Sequence, residues 1–447
     1  MTTLDHIAAQ LQAYDPEALR APAALEFLQH LVPTLADQQS IALMQALGRV
    51  VAEDVISPVH VPPHDNSAMD GYAFAGAQLT PHTPLELTVV GTALAGIAWV
   101  GSVGSGQCVK IMTGAVMPHG LDTVVPQELV QCQGNTITVP ADRLRLGDNR
   151  RLTGEDIAQG QAALKAGTRI TPAALGLLAS LGVPQVTVFR RLRVAYFSTG
   201  NEILSLGEPP REGAVYDSNR YTLYGLLTRL GVDVIDMGVV RDDPTALEAA
   251  FLSAAQQADA IITSGGVSVG DADHTKTMMK QLGDVAFWKI AMRPGRPMAI
   301  GRIFSAKSAS SPIDICADSY EINSSTNLAN APILFGLPGN PVAVMVTFLA
   351  FVRPALLQMM GCAPTPTPLL KARSVEAIRK KPGRTEYQRA IVTTAADGTL
   401  LVKTTGPQGS GVLSSMVQAN GLLVLAHDQG SVAEGDTVDV LMFEGLI

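Results

Sequence analysis

Hydrophobic residues change their spacing along the chain, and each change predicts a different kind of element. Near the N-terminus, apolar positions three or four residues apart predict short helices, from Leu25 to Val32 and from Leu43 to Val50. Between residues 85 and 139, short apolar or alternating runs lie between glycine turns, and this pattern predicts strands. Helical spacing returns after Thr171 and Pro172, which are typical of an N-cap and a first helical residue.

From residue 193 onward, four short apolar strands alternate with helical segments. This alternation predicts a mainly parallel sheet with helices on both faces. In such sheets, ligands bind beyond the carboxyl ends of the strands. Polar and glycine residues follow each predicted strand, and we expect them to meet at one edge: Glu202, Asp242, residues 264–273, and the pair Gly339 and Asn340.

The loop within residues 258–273 carries a strong chemical signal. Ser264, Gly265 and Gly266 interrupt an apolar strand, and glycines let backbone amides approach an anion because they have no Cβ. Asp271 and Asp273 follow, and carboxylates can hold a hydrated Mg²⁺ beside such an anion. A tight turn with an aspartate helix cap is the structural alternative.

Other polar segments supply further candidate groups. Asp65, Asn66 and Asp70 are packed into six residues, in a loop that either satisfies its own backbone or serves a function. Thr113 stands at the end of a predicted strand. In the β-rich C-terminal part, Ser410 lies between two glycines and either binds an oxyanion or makes a turn.

Positive charge is concentrated in residues 287–301, at Lys289, Arg293 and Arg296. Prolines and a glycine restrict this segment, which is either an anion-binding loop or a solvated basic loop. Residues 306–331 are rich in Ser, Asn and Ala without periodicity, so we expect a mobile surface insertion without a catalytic role.

Composition excludes several classes of protein. A chain of 447 residues exceeds one ordinary core and predicts two to four domains. The net charge of −8, without a basic block, argues against a non-specific nucleic-acid binder. Four cysteines without C-x-x-C spacing favour a reducing cytoplasm over a zinc or disulfide framework. The longest apolar run, residues 342–352, is too short to cross a bilayer, and no secretory signal is expected.

Nine motifs follow one another in a fixed order. They are D-N-S-A-M-D-G-Y-A (65–73), I-M-T-G-A (111–115), S-T-G-N-E (198–202), D-S-N-R (217–220), R-D-D-P (241–244), T-S-G-G-V-S-V-G-D-A-D (263–273), F-W-K-I-A-M-R-P-G-R-P (287–297), G-L-P-G-N-P-V (336–342) and G-S-G-V-L-S-S-M-V-Q-A-N-G-L (409–422). Together they resemble the molybdopterin molybdenumtransferases, the family of MoeA and the gephyrin E domain, over about residues 20–447.

The resemblance implies an α/β multidomain fold and an elongated homodimer, with each active site between the α/β domain of one subunit and the β lobe of the other. The implied domains are a discontinuous N-terminal helical domain (1–60 and 140–188), an inserted β lobe (61–139), a three-layer α/β/α molybdopterin-binding domain (189–362) and a C-terminal β barrel (363–447).

The implied reaction belongs to molybdenum cofactor biosynthesis. It joins molybdate to adenylylated molybdopterin and releases AMP, with Mg²⁺, in the cytoplasm and without nucleic acid or membrane. Transient contact with the adenylyltransferase and with molybdoenzymes that accept the cofactor is a further expectation. Adenylylation itself, a scaffold role and tungstate as the oxyanion are alternatives. The first leaves the β lobe and barrel without a role, and sequence cannot separate the two oxyanions.

Matching the family motifs to this chain implies two groups of site residues. The catalytic residues would be Asp65, Glu202, Asp242, Asp273 and Lys289, with Asp242 and Asp273 as the Mg²⁺ ligands. The substrate-binding residues would be Asp70, Thr113, Ser264, Gly265, Gly266, Ser268, Arg293, Arg296, Pro338, Gly339, Asn340, Pro341, Arg389, Ser410 and Ser414. Many relatives carry Lys-Pro-Gly-Lys where this chain has Arg293-Pro-Gly-Arg296, which keeps the charge but changes its reach.

Overall fold

The structure is a computed structural model that describes four stretches of the chain: residues 3–11, 14–267, 274–304 and 331–445. Ser268, Asp271 and Asp273 lie outside the described residues, as does the expected insertion except for its last residue, Ala331. The architecture is that of an α/β multidomain protein with mixed sheets and a closed barrel, as predicted.

The chain divides into two compact units, residues 39–188 and residues 1–38 together with 189–447. The first 38 residues thus belong with the C-terminal part of the chain, a grouping that the sequence did not indicate. The boundaries of the four expected domains stay a prediction.

The unit of residues 39–188 contains the expected β lobe. Its sheet buries side chains on both faces, since Val109 packs into one core and its neighbour Cys108 into the other. The strands are, in spatial order, Thr123–Pro126, Gly71–Phe74, Gln107–Ile111, Leu85–Ala93, Thr136–Val139 and Gln131–Gln133.

The helix predicted from Leu43 to Val50 is wrong. The chain forms the strand Gln38–Ala42, a 3₁₀ turn at Leu43–Gln45 and isolated bridges. Gly48 has a φ of +75°, which an α-helix does not contain, and Leu43 donates its amide to the Pro184 carbonyl. Pairing with the strand Gln185–Phe189 therefore overrides the local helical spacing.

The remaining elements of this unit are short. Thr171 caps the helix Pro172–Ser180 as predicted, and its hydroxyl accepts from the Ala174 amide at 3.2 Å. Four short strands form two antiparallel pairs, Val55–Ile56 with Ala162–Leu164 and Asn66–Ser67 with Arg150–Arg151.

The other unit is built on a six-stranded sheet. The four strands that the sequence predicted are parallel, and an antiparallel hairpin adds the last two. Both arms of this hairpin overlap the cationic segment 287–301, so that segment is part strand and part loop. The strands are, in spatial order, Asp233–Val240, Arg193–Thr199, Ala260–Ser264, Ile333–Leu337, Pro297–Ile303 and Gly283–Lys289.

Helices cover both faces of this sheet. Asp217 and Asp243 cap two of them, accepting from the amides of Arg220 and Ala246. Phe197 of the sheet meets Phe251 of a helix edge-to-face, with ring centroids 5.2 Å apart. The helices are Ser218–Leu230, Pro244–Gln257, His274–Leu282, Pro341–Thr347 and Arg353–Met359, with a π turn at Phe348–Val352 joining the last two.

The π turn explains how the last helix passes a proline. Pro354 has no amide hydrogen, and the widened turn before it lets the Arg353 backbone amide donate to the Phe348 carbonyl. The whole stretch Pro341–Met359 is long and apolar enough to cross a membrane, with a mean hydropathy of 1.8. Its window is 72% buried inside the protein, which is the environment of a core helix.

The C-terminal strands close into a barrel of five strands, and the short strand Met292–Arg293 pairs alongside. Ala390, Val402 and Leu423 contribute to its core. The five strands are, in order around the barrel, Thr385–Thr394, Leu400–Thr404, Leu370–Ser374, Thr437–Met442 and Gly421–Leu425, and a short helix is formed by Ser414–Gln418.

The N-terminal helices Thr3–Gln10 and Ala21–Leu31 pack in the same unit as the sheet. Phe27 is fully buried and meets Trp288 of the edge strand edge-to-face, with ring centroids 5.0 Å apart. The helix predicted around Leu25 to Val32 is thus confirmed.

Asp259 anchors the start of the central strand Ala260–Ser264. Its carboxylate accepts two hydrogen bonds from Arg190, at 2.7 and 2.8 Å, and one from the Arg193 amide at 2.8 Å. Burial by itself raises the pKa of Asp259, but these hydrogen bonds outweigh burial and hold the pKa below its ordinary value.

We expect Asp259→Asn to lower the free energy of unfolding by about 2–3 kcal/mol near neutral pH, because Arg190 would keep only Asp37 as an acidic partner. The lowered pKa stabilises the folded chain above the unfolded value of about 3.9, and this contribution is lost as the pH falls below it. Urea unfolding of both proteins across this range measures the difference, which should shrink in acid.

Asp233→Asn is the matched control, because Asp233 meets Arg191 at 4.0 Å with a mostly exposed side chain. It should cost less than about 1 kcal/mol. A pH-independent difference between wild type and Asp259→Asn would contradict the assignment.

Candidate functional site

A cleft of about 1210 Å³ opens at the carboxyl ends of the parallel strands, where the fold rule places ligands. All of its lining residues belong to the larger compact unit. The predicted residues that line it are Glu202, Asp242, Ser264, Gly265, Gly266, Arg293, Arg296, Pro338, Gly339, Asn340, Pro341 and Ser410.

Two glycines form the turn at the base of the cleft. A Cβ on Gly265 would lie 2.6 Å from the Thr199 carbonyl oxygen, and a Cβ on Gly266 would lie 2.4 Å from the Thr275 side chain. Both residues also have positive φ angles, +96° and +67°. Only glycine therefore fits here, and the turn leaves the backbone open to a ligand.

Asn219 ties two of the strand-end loops together, and sequence reasoning missed it. Its amide nitrogen donates to the Ser264 hydroxyl and to the Gly339 carbonyl, both at 2.7 Å. Because Gly339 offers only an acceptor, the orientation of the amide is defined, and Oδ1 has no partner among the described residues. The D-S-N-R motif marked this segment in the sequence, but the partners of Asn219 lie 45 and 120 residues away along the chain, so the motif did not indicate the bridge.

Glu202 and Asp242 bring two carboxylates to the cleft lining. The backbone amide of Asp242 donates to the side-chain oxygen of Asn201 at 3.2 Å, and this bond helps to fix the position of Asp242. Within the described residues, no group of three His, Cys, Asp or Glu side chains could hold a metal ion. The expected partner Asp273 lies outside those residues.

Positive charge enters the cleft from the hairpin and the barrel. Arg293 and Arg296, two of the predicted substrate-binding residues, line the cleft, and Arg384, which sequence reasoning missed, joins them. Arg384 donates from Nε to the buried carboxylate of Glu386 at 2.8 Å. Arg293 and Glu386 are register partners on paired strands. Through Glu386, the barrel therefore positions Arg384 beside the hairpin loop that carries Arg293.

The hairpin loop sits against the long helix at Gly295. A Cβ there would lie 2.4 Å from the Thr347 hydroxyl and 3.4 Å from the Ala343 carbonyl oxygen, and the φ angle is +91°. The loop can reach this position only because residue 295 is glycine.

Arg389 is buried behind the cleft and is not among its lining residues. Its guanidinium donates to Ser415 Oγ and to the Gly409 carbonyl, both at 2.9 Å. Burial, and then the charge of Arg293, lowers the pKa of Arg389 to about 10. Arg389 therefore holds the loop that presents Ser410, while the predicted residue Ser414 is exposed and outside the lining.

Lys289 also lies outside the cleft lining. Its ammonium pairs with the Glu17 carboxylate from the N-terminal segment. The residue ends the edge strand, where it pairs in register with Pro297, which does line the cleft.

Asp65, Asp70 and Thr113 belong to the other compact unit, residues 39–188. The Thr113 amide donates to Asp70 at 2.7 Å, so these two predicted residues contact each other. Asp65 accepts from the amide and the hydroxyl of Thr153, both at 2.8 Å. These bonds, with the charge of Arg150, hold the pKa of Asp65 below its ordinary value.

Comparison with known families matches almost the whole chain. Three family models match in order: the MoeA N-terminal region (domain I and II) at residues 19–182, a probable molybdopterin binding domain at 195–358, and the MoeA C-terminal region (domain IV) at 371–443.

Individual relatives agree with these models. A molybdopterin molybdenumtransferase of Haemophilus influenzae is 37% identical, with 93% of this chain and 96% of the relative covered. One of Nostoc is 35% identical, with 98% and 96% covered. The crystal structure of the molybdopterin biosynthesis moeA protein from Pyrococcus horikoshii OT3 matches with a TM-score of 0.75 and 27% identity, over 95% of this chain and all of that one. The chain belongs to the family of molybdopterin molybdenumtransferases.

Proposed function

We propose that this chain inserts molybdate into adenylylated molybdopterin, releases AMP and so completes the molybdenum cofactor. The observation that carries the proposal is one cleft with a glycine turn at its base, the carboxylates of Glu202 and Asp242, and three arginines. Relatives that are 37% and 35% identical over nearly their full length bear the name molybdopterin molybdenumtransferase.

The arginines suit the anionic parts of both substrates. Guanidinium groups bind phosphate and tetrahedral oxyanions through paired hydrogen bonds, which supports Arg293, Arg296 and Arg384 as the residues that hold molybdate and phosphate. The Ser410 hydroxyl can donate to the same oxyanion. Forming the product replaces one molybdate oxygen, which leaves as water with the two thiol protons, by the two dithiolene sulfurs.

The carboxylates suit the release of AMP. Water attacks the phosphorus of the adenylyl group, the bond to the molybdopterin phosphate oxygen breaks, and Glu202 accepts the proton of that water. The glycines at the base of the cleft let the pyrophosphate lie close to the backbone.

Mg²⁺ is the metal that the family resemblance implies. Its preferred ligands are a few carboxylates together with phosphate oxygens and water, and the carboxylates of Glu202 and Asp242 fit that donor set. Asp242 would hold the ion, with Asp273 as its expected partner, and the ion would neutralise charge on the pyrophosphate. The homodimer, with Asp65, Asp70 and Thr113 supplied by the β lobe, and the cytoplasmic location belong to the same proposal.

Purified chain, adenylylated molybdopterin, molybdate and Mg²⁺ should yield AMP and active cofactor. We expect Glu202→Gln and Asp242→Asn to lower the rate of AMP release about 10²–10⁴-fold while the proteins stay folded, since the first loses the proton acceptor and the second the carboxylate that would hold Mg²⁺. Chromatography of released AMP measures the rate. Glu208→Gln, an exposed carboxylate outside the cleft lining, is the control. No AMP from the wild type would overturn the proposed function.

Arg293→Gln should weaken molybdate binding about tenfold or more, because hydrogen bonds to a charged group are worth about 1.5–3 kcal/mol. Isothermal titration with molybdate measures the affinity. Arg373→Gln changes the same charge on an exposed barrel residue outside the cleft lining and should leave the affinity unchanged. Equal losses in both variants would mean that net charge, and not the cleft, governs binding.

Gly295→Ala should lower molybdate affinity at least tenfold, because the new Cβ would displace the loop that carries Arg293 and Arg296. Gly398→Ala is the matched control, with a φ of +85° but open space around its Cβ, so it should show only the cost of backbone strain. Adding Thr347→Ala to Gly295→Ala removes the closest clash and should restore part of the affinity. Titration of all four proteins decides the matter, and unchanged binding by Gly295→Ala would contradict the role of the loop.

A further inference from the structure

The N-terminal segment of residues 14–19 forms a short strap along the edge strand Gly283–Lys289. The Lys289 amide donates to the Pro16 carbonyl at 2.7 Å, and the Leu19 amide donates to the Lys289 carbonyl at 3.2 Å. The Ala291 amide then donates to the Leu19 carbonyl at 2.8 Å. The strap therefore follows the strand end by main-chain bonds on both sides of Lys289.

Buried side chains fix the register of this strap. Leu19 is 1% exposed, and Trp288 donates from its indole nitrogen to the Tyr14 hydroxyl at 2.9 Å. The ring of Tyr14 stacks on Phe27 with centroids 5.9 Å apart. Glu17 is thus delivered to Lys289 by a segment that is already held in place, which raises its effective concentration there.

The ion pair itself is exposed and weak. The side chain of Lys289 is 36% exposed and that of Glu17 is 67% exposed. Pairs of this kind contribute little to stability, and salt screens them. A phosphate or molybdate dianion carries more charge than one carboxylate and can therefore compete for the ammonium.

Lys289 stands one strand spacing from the cleft. It pairs with Pro297, and the Ile290 amide donates to the carbonyl of Arg296 at 2.7 Å. Both Arg296 and Pro297 line the cleft. The family match of the N-terminal region begins at residue 19, so Tyr14 and Glu17 precede the matched residues.

We propose that Glu17 is an intramolecular competitor that occupies Lys289 in the resting chain and must be displaced by the tetrahedral oxyanion of a substrate. This inference rests on the proposed function, since it takes that oxyanion to be molybdate or the phosphate of the nucleotide. The strap stays in place during the exchange, and only the carboxylate gives way.

Titration of the full chain with molybdate and, separately, with AMP tests the proposal. Glu17→Gln should tighten binding of one of these anions about two- to fivefold at low salt, and the gain should fall as salt is added. The anion that responds identifies which source of oxyanion uses Lys289. Glu26→Gln, on the exposed side of the next helix, carries the same charge change and should have no effect.

Lys289→Gln completes a double-mutant cycle. Adding Glu17→Gln to Lys289→Gln should produce no further gain, because the competitor then has nothing to occupy. If the wild type binds the anion and Glu17→Gln binds it equally or more weakly, the competitor role of Glu17 is overturned and the proposed function still stands. A gain that persists without Lys289 would also overturn it. No binding of either anion by any variant would overturn both ideas together.

Discussion

The cleft depends on the hydrogen-bonded register of one central strand, Ala260–Ser264. It pairs in parallel with Arg193–Thr199 on one side and Ile333–Leu337 on the other, so that Ser198, Ser264 and Leu337 lie level. Because these strands end together, the loops that follow them open on one edge and can share a ligand. Asp259 holds the opposite end of the same strand through its bonds to two arginines, so the register that aligns the loops is anchored far from the chemistry.

The barrel is needed at this edge as well as the sheet. It contributes Ser410 and Arg384 to the cleft, and its strand Thr385–Thr394 pairs with Met292–Arg293. The Val342 amide at the start of the long helix donates to the Ser410 carbonyl at 3.1 Å. The hairpin loop is therefore held between helix and barrel. Buried Arg389 supports the loop that presents Ser410, and the arginines of the cleft lining are left to meet anions.

Local sequence patterns predicted those parts of the molecule that local physics determines. The parallel strands follow from apolar runs, and the cap at Thr171 follows from a side-chain oxygen beside free helix amides. The burial of Arg389 and the bridge made by Asn219 could not be predicted, since their partners are distant in sequence. The helix expected after Leu43 failed for the same reason, because a strand about 140 residues away decides its conformation.

Within the strap, the main chain serves stability and the side chain of Glu17 serves regulation. An uncovered strand end is a liability, because its free amides and carbonyls can pair with another chain. The main-chain bonds of Pro16 and Leu19 cover the end of Gly283–Lys289, and this need explains the strap without reference to any ligand. The exposed carboxylate of Glu17 adds nothing to that cover. Its placement on Lys289 is therefore a feature that edge protection leaves unexplained, and competition with a substrate anion accounts for it.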